Sequence, residues 1–201
     1  MGVHARWVNG WHLFAVTSAT ITAFMLARLL STNFSSPQDL SAMIQYSVRW
    51  AVPFIFLVIA ISALYRLFPS DVTRWLMRNR LYIGLSFAVA MAWQGAFIFI
   101  VSYFHSAHYY AEIYYLRDEL EGSSGYLLLA VMTLTSFGVF RRHISPGQWR
   151  FLHLSGVTFL WAYPFSVYWW NVFYYQTQHW FDVVFYALGF AAFALGILPW
   201  G

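Results

Sequence analysis

This sequence predicts an all-α fold: an integral membrane bundle of six transmembrane helices in one domain, with both termini in the cytoplasm. Three observations predict it. Of the 201 residues, 61% are hydrophobic and only 9% charged, and the mean hydropathy is +0.57, so a fold in water would lack polar surface to cover itself. The apolar residues fall in runs near the ~20-residue length that a helix needs to cross hydrocarbon, and the charges gather between them. Nothing alternates as barrel strands do, and inside a bilayer every backbone polar group must be paired within its own element, which leaves helices.

The runs come in order. Trp11–Leu30 is too long, and lacks the small-residue cleavage site, to read as a signal peptide. Ser31–Ser41, around Ser35-Ser36-Pro37, reads as an outer loop before the second run, Val48–Phe68. Pro69-Ser70-Asp71 is a stop followed by a cap, so Asp71–Arg78 reads as a short interfacial helix carrying Trp75. The third run is Leu81–Phe104. An acidic loop punctuated by Gly122-Ser123-Ser124-Gly125 precedes the fourth, Tyr126–Phe140. Ser145-Pro146-Gly147 turns the chain ahead of the fifth, Phe151–Phe173, and the sixth is Trp180–Trp200. These runs use nearly all of residues 1–201, which leaves one domain and no room for a soluble catalytic module. No internal repeat and no low-complexity tract is present.

Charge sets the expected orientation. Arginine supplies all 11 basic side chains. If six spans alternate, Arg6, Arg66, Arg74, Arg78, Arg80, Arg141, Arg142 and Arg150 share one side. The other side receives Arg28, Arg49 and Arg117 with Asp39, Glu112, Asp118, Glu119, Glu121 and Asp182. The positive-inside rule then places both termini in the cytoplasm, and topology explains the pI of 9.4 better than nucleic acid does. Arg28 and Arg49 lie near span ends, within snorkelling reach of the interface. The chain has no cysteine, which removes disulfides, iron–sulfur clusters and a thiolate nucleophile. It shows no glycine-rich phosphate loop, no zinc spacing and no serine–histidine–acid set. Paired intramembrane acids and a broken-helix repeat, the marks of many transporters, are also missing.

Histidines are the candidates for chemistry, because imidazole is a common axial ligand of haem. His4 and His143 fall in predicted cytoplasmic segments, and His12 and His179 at span ends, where solvation accounts for them. His105 and His108, three apart beyond span three, would share a helix face if the helix continued, but two residues make an incomplete metal site. His153 lies inside span five, after Trp149-Arg150, where an ionisable side chain is by default a functional hypothesis. Trp169-Trp170, Tyr174-Tyr175 and Trp180 cluster at the outer ends of spans five and six. They read as an aromatic belt at the lipid headgroups, or as the lining of a pocket for a lipid-like or quinone-like ligand.

The stretch from Tyr126 through Leu134-Thr135-Ser136, Arg141-Arg142 and Trp149-Arg150-Phe151-Leu152-His153 resembles the ferric-reductase-like transmembrane domain family. It is most like the haem-binding membrane subunits of bacterial periplasmic methionine sulfoxide reductase systems. Arg80-Leu81-Tyr82-Ile83-Gly84-Leu85 is similar to the same family's entry into helix three. The likeness covers about half the chain, from Arg78 to Trp170.

The resemblance implies b-type haem held by histidines of helices three and five, with electrons arriving from a flavin or nicotinamide donor, or from quinol. Carried onto this chain, His153 takes the inner helix-five position as haem iron ligand. Its helix-three partner position is Gln94, in Met91-Ala92-Trp93-Gln94. The outer helix-five position falls near Ser166, just past Pro164. His108, fourteen residues beyond Gln94, would lie about 21 Å farther along one helix face. Each pair therefore lacks one imidazole, and glutamine is a hard, weak donor to haem iron. A Gln94–His153 hydrogen bond would satisfy both groups without a cofactor.

Two function classes follow. One is a membrane electron-transfer protein with haem b, with Arg141, Arg142 and Arg150 set to meet an anionic donor such as a flavin phosphate. The other is a haem-free structural or accessory subunit of a larger membrane complex. Both expect lipid and protein partners, no nucleic acid, and a bacterial inner membrane.

Overall fold

The computed structural model describes residues 8–175 and 179–197; His4, Arg6 and Trp200 lie outside them. The described residues form helices α1 (Gly10–Leu30), α2 (Pro37–Leu67), α3 (Asp71–Phe104), α4 (Ser106–His108), α5 (Leu116–Thr135), α6 (Gly138–Arg141), α7 (Pro146–Phe173) and α8 (Trp180–Ile197), with a π-helical turn at Tyr109–Ile113. Three of them, α1, α2 and α3, are long and apolar enough to cross a membrane.

Local chemistry fixes the starts. Ser36 accepts from the Asp39 amide, with Pro37 at the first helical position. Ser70 and Thr73 form a reciprocal capping box, and so do Ser145 and Gln148, again with proline at the first position. Each box satisfies two amides that a helix start leaves without partners.

Several elements differ from expectation. Residues 37–41 of the stretch Ser31–Ser41 are helical, because the Ser36 cap and Pro37 start α2 there. Asp71–Arg78 is no separate interfacial helix, because nothing between Arg78 and Leu81 breaks the chain, and α3 runs 34 residues unbroken. The Gly122–Gly125 tract is the middle of a helix. Asp118 and Glu119 in the first turn of α5 favour a start at Leu116, and Gly125 then faces Phe159 and Leu160. The fourth run, Tyr126–Phe140, is broken: α5 ends at Thr135, Phe137 is extended, and Gly138–Arg141 forms a separate turn. Helix α3 ends at Phe104 as its apolar run does, with His105 leaving helical geometry at φ −130° and ψ 49°.

Side-chain pairs give the directions. Gly10 meets Asn79 and Thr22 meets Trp93, so α1 and α3 run parallel. Ser62 meets Arg80 while Ser41 meets His108, so α2 runs against α3. Gly125 packs on Phe159 and Gly156 on Met132, so α5 and α7 are antiparallel. Asn171 meets Asp182 and Trp161 meets Gly189, so α7 and α8 are too. The six long helices alternate in direction. The long α2–α3 seam is the spine of the core, with α1 packed on α3, and with α8 and α7 packed on α2. Outside it, large apolar side chains such as Phe99, Tyr103 and Phe151 stand two-thirds or more exposed. Those faces suit lipid, which tolerates them where water would not.

Candidate functional site

Helix α5 positions the sequence-predicted site residues. It packs along α7 and touches α3 near one point, and small residues allow both approaches. A Cβ at Gly95 would sit 3.4 Å from the Tyr126 ring, and one at Gly156 would run into the Met132 side chain. Missing side chains at helix interfaces let backbones close up.

At the α3 contact, the Tyr126 hydroxyl donates to Gln94 Oε1 at 3.1 Å and lies 3.3 Å from the Met91 carbonyl. At the far end of α5, Thr135 Oγ1 stands 3.2 Å from His153 Nε2. The Thr135 hydroxyl has one proton, and it donates that to the Val131 carbonyl at 2.7 Å. With that proton engaged, the threonine oxygen is left to accept, which matches the His153 tautomer with its proton on Nε2. The Trp149 indole, stacked on the His153 ring at 4.2 Å, donates through Nε1 to the Thr135 carbonyl at 3.2 Å. That carbonyl is one of the last in α5 and has no partner within the helix. Arg141 lies over the Trp149 ring, 5.1 Å from its centre, and donates to the Ile144 carbonyl at 2.9 Å.

Gln94 and His153 are therefore both tied to α5, but to residues nine positions apart, a rise of about 13 Å. Two ligands on one iron must lie about 4 Å apart, given metal–nitrogen bonds near 2 Å. The residues present do not fit a haem held between Gln94 and His153, and the two are not bonded to each other. Ser166 donates to the Tyr163 carbonyl of its own helix at 2.7 Å. His108 lies on α4, past the break at His105, with its Nε2 3.5 Å from Ser41 Oγ, so it does not extend the Gln94 face. His105 turns elsewhere, to the Phe34 carbonyl at 2.8 Å. Among the described residues no group of three or more histidine, aspartate or glutamate side chains is placed to hold a metal. Arg142 bonds His143, and it and Arg150 are exposed.

Sequence reasoning missed three arrangements. Thr135 and Tyr126 served as motif residues there, not as partners. The available signal was Trp149-x-x-x-His153, a pair four apart on one helix face opposite the end of α5. A second arrangement lies where the end of α7 meets the start of α8, where Asp182 is 2% exposed. Its carboxylate accepts from Asn171 at 3.1 Å and from the His179 amide at 3.0 Å, while Arg49 caps the neighbouring Phe181 ring at 3.8 Å. The third is in the π-helical turn, whose buried Tyr109 donates to Glu119 at 3.0 Å. Burial first, then the bond to Glu119 and its charge, push the Tyr109 phenol up to about 12.

Comparison with protein-family models, with curated proteins and with solved structures returns no match.

Proposed function

We propose that this chain is a six-span membrane subunit of ferric-reductase-like type in which the haem-ligand positions serve as hydrogen-bonded ties between helices. It acts as a structural or accessory member of a larger membrane complex in a bacterial inner membrane, with its arginine-rich end in the cytoplasm. One observation carries this reading: Gln94 and His153 are each satisfied by α5, at levels about 13 Å apart. Such ties are worth roughly 1 kcal/mol each in a bilayer. The arginine distribution supports the orientation.

A second reading keeps electron transfer through b-type haem with His153 as its single protein ligand. It is favoured by the half-exposed imidazole, whose one hydrogen bond, at 3.2 Å, is weak enough to exchange. Haem would supply one-electron chemistry there; the chain would supply Nε2 and, through the stacked Trp149 indole, its orientation. A reduced-minus-oxidised visible spectrum with haem extraction, on protein made with haem in supply, separates the two. The accessory reading expects a colourless, folded protein. A sharp b-type band lost in His153→Ala would replace it with electron transfer.

A further inference from the structure

The start of α1 is held by a residue of α3. Asn9 precedes α1 with an extended backbone, φ −137° and ψ 143°, and its side chain makes no capping bond, although asparagine is a good N-cap. Asn79, 2% exposed, takes over that task from the neighbouring helix. Its Oδ1 accepts from the Gly10 amide at 2.8 Å. Its Nδ2 donates to Asn9 Oδ1 at 3.1 Å and to the Trp75 carbonyl at 3.0 Å. The Trp75 carbonyl can only accept and the Gly10 amide only donate, which fixes which end of the Asn79 amide is oxygen. One turn earlier on α3, the Trp75 indole donates to the Val8 carbonyl at 2.7 Å.

Gly10 lies at φ +61°, a conformation that favours glycine, so this clamp places glycine directly after asparagine. That pair is chemically labile. The glycine amide nitrogen can attack asparagine Cγ with no side chain in its way; the new C–N bond closes a succinimide ring, and ammonia leaves with the amide proton. Water then opens the ring to aspartate or to isoaspartate, in which the main chain runs through Cβ and Cγ. Among the asparagines of the chain, Asn9 is the one that glycine follows.

Asn79 engages both reactants of that step. The Gly10 N–H, whose proton must be lost before its nitrogen can attack, donates to Asn79 Oδ1. The Asn9 carbonyl oxygen is held by Asn79 Nδ2. That bond polarises the carbonyl, but ring closure also needs the peptide bond after Asn9 turned toward Cβ, and ψ 143° turns it away. We propose that Asn9 is a latent deamidation site shielded by Asn79, open to reaction only when the start of α1 comes off α3. Conversion to isoaspartate lengthens the main chain between the two tied groups, so they no longer match Asn79. The inference holds under either reading of function.

The test is peptide mass spectrometry of Asn9 in the full chain, held in maltoside detergent at mildly alkaline pH and compared with the chain unfolded in guanidinium chloride. The folded chain should keep Asn9 while the unfolded chain converts it to aspartate and isoaspartate. Two hydrogen bonds of ordinary strength set how rarely the clamp opens, so Asn79→Ala should speed conversion roughly 30-fold. Should Asn79→Ala fail to fold, Trp75→Phe, which drops only the tie to Val8, should speed it about 5-fold. Gly189→Ala crowds the α2–α7–α8 junction and leaves the clamp whole, so Asn9 should then convert at the folded chain's rate. A folded chain that converts as fast as the unfolded one overturns the proposal. So does conversion in Asn79→Ala, or in Trp75→Phe standing in for it, that is no faster than in Gly189→Ala.

Discussion

A single hydroxyl decides the chemistry of His153. With the Thr135 proton engaged by the Val131 carbonyl, its oxygen is left to accept, which matches His153, the most ligand-like residue of the chain, as the donor. Thr135→Val should cost about 1 kcal/mol, the usual worth of such a bond between membrane helices. Combined with Gln94→Ala the losses should add, since the two ties share no partner; unfolding in mild detergent measures both. That His153 lies inside a helix was legible from its position in an apolar run. Its partner was not, because a threonine at a helix end looks the same in sequence whether it faces a histidine or lipid. Tyr109 allows a pH prediction of similar detail. Its phenol is held up to about 12 against about 10 in the unfolded chain, so between those values the unfolded state binds fewer protons. The contribution of Tyr109 is present in full below pH 10 and is lost as pH rises toward 12. Tyr109→Phe should therefore destabilise at pH 8, and its deficit should shrink in alkaline melts; a deficit constant to pH 12 would contradict the assignment.

Among the elements, α5 departs furthest from what composition suggests. Its first ten residues carry four charges and two glycines, which reads as a loop; its last ten are apolar. The structure joins them because nothing between Leu116 and Thr135 forbids a helix, and because the acids favour its start. By contrast, α1 and the apolar part of α3 were legible almost to the residue, since long apolar runs admit one solution in lipid, whereas α2 begins at Pro37, eleven residues before the apolar run Val48–Phe68, because its first turns are polar. The end of α3 at Phe104 coincides with the end of its apolar run, although no proline or glycine marks the break at His105. Where elements meet, glycines set the spacing. A Cβ at Gly189 would lie 2.8 Å from both Phe56 and Phe165, while one at Gly84 meets nothing within 4 Å. Gly189→Ala should then cost about 1–3 kcal/mol as overpacking at the α2–α7–α8 junction. Gly84→Ala should be neutral or gain up to about 1 kcal/mol from helix propensity. Equal effects at the two positions would mean that α8 does not pack as described.

For the molecule as a whole, the level at which each helix sits decides function. A six-helix alternation was readable from run lengths and arginine positions, but relative height was not, because apolar runs fix how far a helix extends and leave its vertical offset to packing. In this bundle α5 carries one tie to α3 and another to α7, at residues about 13 Å apart along α5, and on the proposed reading the two positions that resemble a ligand pair do not share one iron. The most direct measurement is the reduced-minus-oxidised spectrum, with low-temperature electron paramagnetic resonance, of purified Gln94→His produced with haem in supply. The account predicts no paired-histidine, low-spin haem signal, because the restored imidazole would meet Tyr126 and not the plane of His153. A low-spin b-type signal that requires both His153 and the new histidine would show the two positions on one level and contradict the account.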